Sequence, residues 1–212
     1  MNADGSGELQ LTNNSAHDLQ PAWSPDSKYL AFTSDRDGNA EIYVMSASGA
    51  GQTRLTNNAA FDLAPAWSSD GKQLAFQSDR HDALDFEIYI MSADGSSPAA
   101  LTSSVGSNTG PAWSPNGKRI AFTSLRDGNF EIYVIGADGS GETRLSATSM
   151  AVQDVEPAWS PNGKLIAFAS DRDSAVPLAF DIFVMNADGS GPNNITNHPA
   201  FDAHPTWRSA KP

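Results

Sequence analysis

An all-β fold, arranged as a ring of four-stranded antiparallel blades (a β-propeller), follows from three observations on these 212 residues. First, one phrase recurs. Pro21-Ala22-Trp23-Ser24-Pro25 returns as Pro65-Ala66-Trp67-Ser68-Ser69, Pro111-Ala112-Trp113-Ser114-Pro115, Pro157-Ala158-Trp159-Ser160-Pro161 and, degraded, Pro205-Thr206-Trp207-Arg208-Ser209. Second, the five tryptophans all fall on this phrase, 44, 46, 46 and 48 residues apart, the period of a propeller blade. Third, no useful stretch carries an apolar stripe of period 3.6, so helix has no foothold.

The third repeat shows each element in order. Pro111 to Ser114 reads as a short strand with proline at its entrance, where the missing N–H does least harm. Ser114-Pro115-Asn116-Gly117 is a turn, with φ preset at proline and glycine free to take positive φ. Ile120-Ala121-Phe122-Thr123 is the second strand, large side chains on one face and alanine on the other. The same alternation returns at Leu30/Ala31/Phe32, Leu74/Ala75/Phe76 and Ile166/Ala167/Phe168. Alanine where a wetted face would be polar predicts close approach of a second sheet. Glu131 to Ile135 is the third strand, apolar on both faces like Ile42–Met45, Ile88–Met91 and Ile182–Met185, hence sandwiched. After the hairpin turn Ala137 to Gly141, Thr143 to Ser146 makes a short polar outer strand suited to an edge. Each tryptophan wedges neighbouring blades and needs one acceptor for its indole N–H.

Composition narrows the function classes. The formal net charge of −12 makes nucleic acid an improbable partner, since phosphate contacts need clustered Lys and Arg. It favours cationic or metal partners. Cysteine is absent, which removes disulfides and thiol chemistry and leaves the compartment open. No run of ~18 apolar residues exists to span a membrane. Met1-Asn2-Ala3-Asp4-Gly5 is itself repeat sequence, matching Met185-Asn186-Ala187-Asp188-Gly189, so no signal peptide is expected in this chain.

The string Pro-Ala-Trp-Ser-Pro-Asp/Asn-Gly-Lys, then Ile/Leu-Ala-Phe-x-Ser-Asp-Arg-Asp-Gly-Asn, then Glu-Ile-Tyr-Val-Met closely resembles the repeat of TolB-like β-propellers, the WD40-like PD40 repeat family. The likeness covers almost the whole chain. It implies a protein-binding platform of the bacterial envelope, periplasmic or extracellular. The N-terminal α/β domain and the peptidase domains that other members of the family carry are not expected within these residues.

Counting strands predicts one domain over 1–212, with complete blades at about 20–58, 64–103, 110–147 and 156–197. A partial fifth blade is expected from 1–14 and 203–212: an outer strand at Glu8 to Thr12 and an inner strand at Pro205 to Arg208, without the two middle strands. The gap points to truncation of a longer propeller, to rearrangement, or to pairing with another chain, and we expect a homodimer through it.

Polar residues gather on one face, where the loop before each inner strand and the loop between second and third strands both open. Asp18, Asp62, Asn108, Asp154 and Asp202 stand three residues before each proline. Such side chains rigidify strand entries by accepting backbone N–H bonds, or they form an acidic funnel at the channel mouth. His17 and His204 adjoin this ring, with His198 nearby; single histidines without ligand spacing read as loop residues. Arg36, Arg80, Arg126 and Arg172 recur in the second loop set, paired with carboxylates or reaching a partner. Together the ring, the two histidines and these arginines are the candidate partner-binding residues. Asp35 to Glu41 and its copy Leu125 to Glu131 hold oxygens at alternate positions like the first half of a calcium loop. The distal bidentate Glu is missing and Gly38-Asn39 already explains a turn, so no cofactor is expected, with calcium the alternative. The corresponding loops Asp79–Glu87 (with His81, Asp82 and Asp85) and Asp171–Asp181 (with Pro177 and Phe180) are longer, as specificity loops are.

No Gly-x-Ser-x-Gly elbow, His-x-x-x-His zinc pair or phosphate-cradling loop is present. The reading is therefore a non-enzymatic scaffold binding a protein or peptide at its acidic face. The alternatives are a metal-dependent carbohydrate-active enzyme and a fragment of a longer propeller with no role of its own.

Overall fold

The computed structural model describes residues 4–83, 85–173, 178–197 and 200–208; His198, Pro177 and the extreme ends of the expected partial blade lie outside them. Among the described residues there is no helix, and sixteen strands form four antiparallel sheets of four. The first sheet holds β1 (Asp18–Trp23), β2 (Tyr29–Ser34), β3 (Glu41–Ser46) and β4 (Thr53–Arg54) in sequential order. The second holds β5 (Asp62–Trp67), β6 (Gln73–Asp82), β7 (Asp85–Ser92) and β8 (Ala99–Ala100). The third holds β9 (Asn108–Trp113), β10 (Arg119–Ser124), β11 (Glu131–Gly136) and β12 (Thr143–Arg144). The fourth holds β13 (Asp154–Trp159), β14 (Leu165–Ser170), β15 (Asp181–Asn186) and β16 (Asn193–Asn194).

The turn chemistry is realised as read. Gly117, at φ +68°, donates its amide to the Ser114 carbonyl at 2.9 Å. Asn116 Oδ1 accepts from the Lys118 amide at 3.0 Å, and the Ser114 amide closes the hairpin on the Arg119 carbonyl. The outer strands shrink to two residues because only their first residues find ladder partners, as in Tyr133↔Arg144 and Val134↔Thr143.

The alanines sit where sheets approach most closely. Ala31 and Ile42 of the first blade pack against Leu74, Phe76, Tyr89 and Met91 of the second, with Leu55 and Trp67 at the edge. Ala75 and Ile88 meet Ile120, Phe122, Tyr133 and Ile135 in the same way. A larger side chain on the alanine face would push neighbouring sheets apart. The tryptophans tie each blade to the one before: Trp67, Trp113 and Trp207 donate Nε1 to the carbonyls of Ala22, Ala66 and Ala158 at 3.1, 3.1 and 3.0 Å. Trp159 breaks the series, its Nε1 buried without a partner. Trp23, with no blade ahead of it among the described residues, is 53% exposed.

The fifth blade departs from expectation. Neither Glu8–Thr12 nor Pro205–Arg208 forms a strand, since among the described residues no strand pairs with either. Both segments still dock where the repeat would put them. Leu11 packs on Leu30, Phe32, Tyr43 and Met45, and its carbonyl accepts from Gln52 Nε2 at 3.1 Å. The Asp202 amide donates to the Phe180 carbonyl at 2.8 Å, matching Asp62 on Ala40 and Asp154 on Phe130. The stretch Asp79–Glu87, read as a long loop, is instead an extension of the β6–β7 hairpin that pairs Asp82 with Asp85 beyond an irregularity.

Candidate functional site at the channel mouth

The inner strands converge on one axis. Gln20-Pro21, Ala64-Pro65, Gly110-Pro111, Glu156-Pro157 and His204-Pro205 line a central cavity of about 590 Å³. All five residues ahead of proline adopt left-handed φ: 52°, 52°, 59°, 58° and 56°. In the four blades the strand register slips at this point, as between Leu19 and Ala22, so each inner strand bulges toward the axis. Only one of the five is glycine, and a side chain at such φ is costly. The bulge amides are held from the preceding blade: Ala64 N donates to Gln20 Oε1 (3.0 Å), Gly110 N to Gln77 Oε1 (2.9 Å) and His204 N to Glu156 Oε2 (2.8 Å). His204 Nδ1 also lies 2.9 Å from Glu156 Oε1, its side chain 82% exposed.

Two residues before the bulge stands the predicted acidic ring, and most of it does not face the channel. Asp62, Asn108 and Asp154 are fully buried. Arg80 and Arg172 donate Nη2 to Asp62 and Asp154, each at 2.7 Å, and Arg126 donates Nη2 to Asn108 Oδ1 at 3.0 Å. Each arginine also bonds a serine hydroxyl of the second strand (Ser78, Ser124, Ser170) through Nε, and lies over the aromatic pair of its blade. Arg126, for instance, stands 4.4 Å from the Tyr133 ring centre and 5.8 Å from that of Phe122. Serine, carboxylate and ring thus hold the guanidinium in one place. Asp18 is more open; Arg36 Nη2 reaches it at 2.8 Å. Burial alone would raise its carboxyl, but hydrogen bonds from Ser34 and Arg36 outweigh that and hold it down to about 2. Asp202 is half-buried.

The two loop sets do meet on one face. The amides of His17, Phe61 and Gln153 donate to the carboxylates of Asp35, Asp79 and Asp171 at 2.8, 2.7 and 2.7 Å. His17 adds an Nδ1 contact to Asp35 at 2.8 Å, which raises the pKa of this exposed imidazole. The residues read as half a calcium loop are engaged by protein donors. Asp37 accepts from the Tyr43 hydroxyl, and Asn39 Nδ2 donates to the carbonyls of Ala60 and Asn58. Asp127 accepts from Tyr133 and lies 3.1 Å from Arg144. Among the described residues, no group of three or more His, Asp or Glu is placed to hold a metal ion.

Sequence reasoning picked out His204 but passed over Gln20, Ala64 and Glu156. Their signal was available: within a phrase that keeps Pro and Trp in all five copies, the residue just ahead runs Gln, Ala, Gly, Glu, His.

Four stacked blades around a channel lined by all five repeats define a β-propeller. The sequence profile of the TolB beta propeller domain matches residues 1–105 and 57–151, and the chain belongs to that family. It is similar to the Tol-Pal system protein TolB of Desulfosudis oleivorans, 44% identical over 41 residues, 19% of this chain and 9% of the relative. Among solved structures, a putative TolB from Agrobacterium tumefaciens superposes with a TM-score of 0.73 at 30% identity, covering 82% of this chain and 63% of that one. TolB from Acinetobacter baumannii does so with 0.78 at 25% identity, covering 91% of this chain. The chain thus spans less than two thirds of either structure, 46% of the second.

Proposed function

We propose that this chain is a non-enzymatic propeller that binds a protein or peptide across its channel mouth, in the periplasm or outside the cell. The observation that carries the reading is the set of five left-handed positions ahead of proline. The scaffold keeps the same left-handed conformation at each, costly at the four that carry a side chain, while the residue varies, which is how a rigid frame presents a specific surface. Gln20, Glu156 and His204 supply the polar contacts, with His17 and the exposed part of Asp18 and Asp202 at the rim. The buried Asp62, Asn108 and Asp154 and the arginines on them act by holding the loops rigid, which spares a partner the ordering cost. The name of the curated relatives, Tol-Pal system proteins, supports a protein as the partner. Pull-down from bacterial envelope extract tests this. A partner captured by the native chain and lost with the triple substitution Gln20→Ala, Glu156→Ala, His204→Ala supports it; undiminished capture by the variant refutes the site. The half-exposed Trp23 at the unsealed flank supports the finer proposal of a homodimer, which a monomeric mass in light scattering at micromolar concentration would overturn.

A further inference from the structure

The seam between the second and third blades carries a buried polar contact, and the repeat puts acidic residues at the same positions in the seams on either side. At the third repeat Asn108 faces Arg126 through Oδ1, while its Nδ2 donates to Glu87 Oε2 of the preceding blade at 2.7 Å. The repeat places Asp62 and Asp154 where Asn108 stands, and Glu41 and Glu131 where Glu87 stands. In both aspartates Oδ2 takes the arginine, so Oδ1 falls where Asn108 carries its amide nitrogen. Those two Oδ1 atoms are buried without a partner, as is Glu41 Oε2. All four carboxyl-bearing residues are 0% exposed. The oxygen across from each Oδ1 is bare in Glu41 and holds only the Ser146 hydroxyl in Glu131; two ionised carboxylates turned toward each other out of water repel, and a single proton turns the contact into an O–H···O bond.

We propose that Glu41–Asp62 and Glu131–Asp154 are buried proton-binding sites, each pair holding one proton at neutral pH that seals its seam as the Asn108 amide seals the seam between.

The surrounding charges leave this contact uncompensated. On the first pair, Arg80 (β6) reaches Asp62 Oδ2 and Arg54 (β4) reaches Glu41 Oε1 at 2.6 Å, with Asp37 3.8 Å from Arg54. Asn58 serves the same two oxygens, and the Tyr89 phenol (β7) is within electrostatic reach of Asp62. On the second pair, Arg172 (β14) reaches Asp154 Oδ2 and Arg144 (β12) reaches Glu131 Oε1 at 2.7 Å, with Asp127 beside Arg144. Ser146 alone serves Glu131 Oε2, at 2.5 Å. Neither arginine bonds a facing oxygen. The titration directions agree: burial pushes the Asp154 carboxyl up, while Glu131, in spite of burial, is held down to about 2 by hydrogen bonds from Ser146, Thr148 and Asn129. Asp18 occupies the same position with no glutamate in a blade ahead of it, and it is the strongly acidic one.

A proton kept in the folded state and lost in the unfolded one gives stability that is full below the ordinary carboxylate range, about 4, and is lost as pH rises through the folded value. Because Asp62 and Asp154 precede Ala64 and Glu156 by two residues, loosening a seam reaches the channel wall. The test compares the native chain with the double substitution Asp62→Asn, Asp154→Asn in thermal melts at about pH 5 and about pH 8, alongside the infrared carbonyl band of protonated carboxylic acid. The expected results are an acid band in the native chain at neutral pH that the variant lacks, and a variant Tm higher at the upper pH by about 2–4 °C per seam. The gain shrinks at the lower pH. Asn108→Asp provides the reverse test, since it adds a site and should enlarge the band and steepen the loss of Tm with pH. Absence of the acid band, no gain in the double variant, or calcium raising the native Tm in place of a proton each overturns the proposal.

Discussion

Gly110→Ala isolates the cost of the bulge that lines the channel. Gly110 has φ +59°, and a Cβ built on it meets nothing within 4 Å, so the substitution adds conformational strain without a clash. Its amide bond to Gln77 Oε1 involves only backbone on the Gly110 side and survives. A left-handed L-residue costs about 1–2 kcal/mol. Stiffening the unfolded chain by replacing glycine returns about 0.4–1 kcal/mol. The net loss is about 1 kcal/mol, a fall in Tm of about 2–4 °C for a chain of this size. Ala64 supplies the mirror experiment, with φ 52° and its amide held by Gln20 and Thr33. Ala64→Gly removes a strained Cβ and should gain stability of the same order. Urea titrations of both variants, with the slope m unchanged, measure the pair. If Gly110→Ala is the more stable protein, or Ala64→Gly the less stable, the bulge is not strained and the channel argument loses its basis.

Three further outcomes follow from the packing and the charges. Arg80→Ala leaves Asp62 buried without its cation and should cost about 3–5 kcal/mol, read from denaturant melts, whereas Lys72→Ala on the exposed Asp70 contact should leave the melt nearly unchanged. Phe122, fully buried between the second and third blades, should lose about 3–5 kcal/mol when cut to alanine, while Leu9→Ala at the exposed N-terminal segment should be nearly silent. Burial, then the hydrogen bond to Asp37 or Asp127, pushes the phenols of Tyr43 and Tyr133 up to about 12. Their contribution is full below the ordinary tyrosine value, about 10, and is lost as pH rises toward 12. An alkaline absorbance titration should show these two ionising late, and early ionisation of both would contradict the geometry.

Much of the architecture was legible because each blade is a local sentence. Turn residues, the alternation of large residues with alanine, and the tryptophan spacing depend on neighbours within one repeat or the next, and all were realised. The site was less legible. Asp62 and Asp154 look like the mouth of a funnel in one dimension, yet they turn inward, each accepting from the guanidinium of Arg80 or Arg172 at 2.7 Å. The fifth repeat read as half a blade, but a strand needs a ladder partner, and among the described residues Glu8–Thr12 and Pro205–Arg208 have none.

The amino-acid order by itself determined the stacking of β-sheets and the polarity of their edges, because both arise from contacts at fixed repeat spacing. Only the folded ring decided which polar groups meet water. Gln20, Glu156 and His204 reach one cavity because a left-handed bulge turns each inner strand toward the axis. Glu87 meets Asn108 because curvature brings consecutive blades face to face. Those encounters depend on dihedral angles and inter-sheet distance, which residue identity constrains but only packing sets.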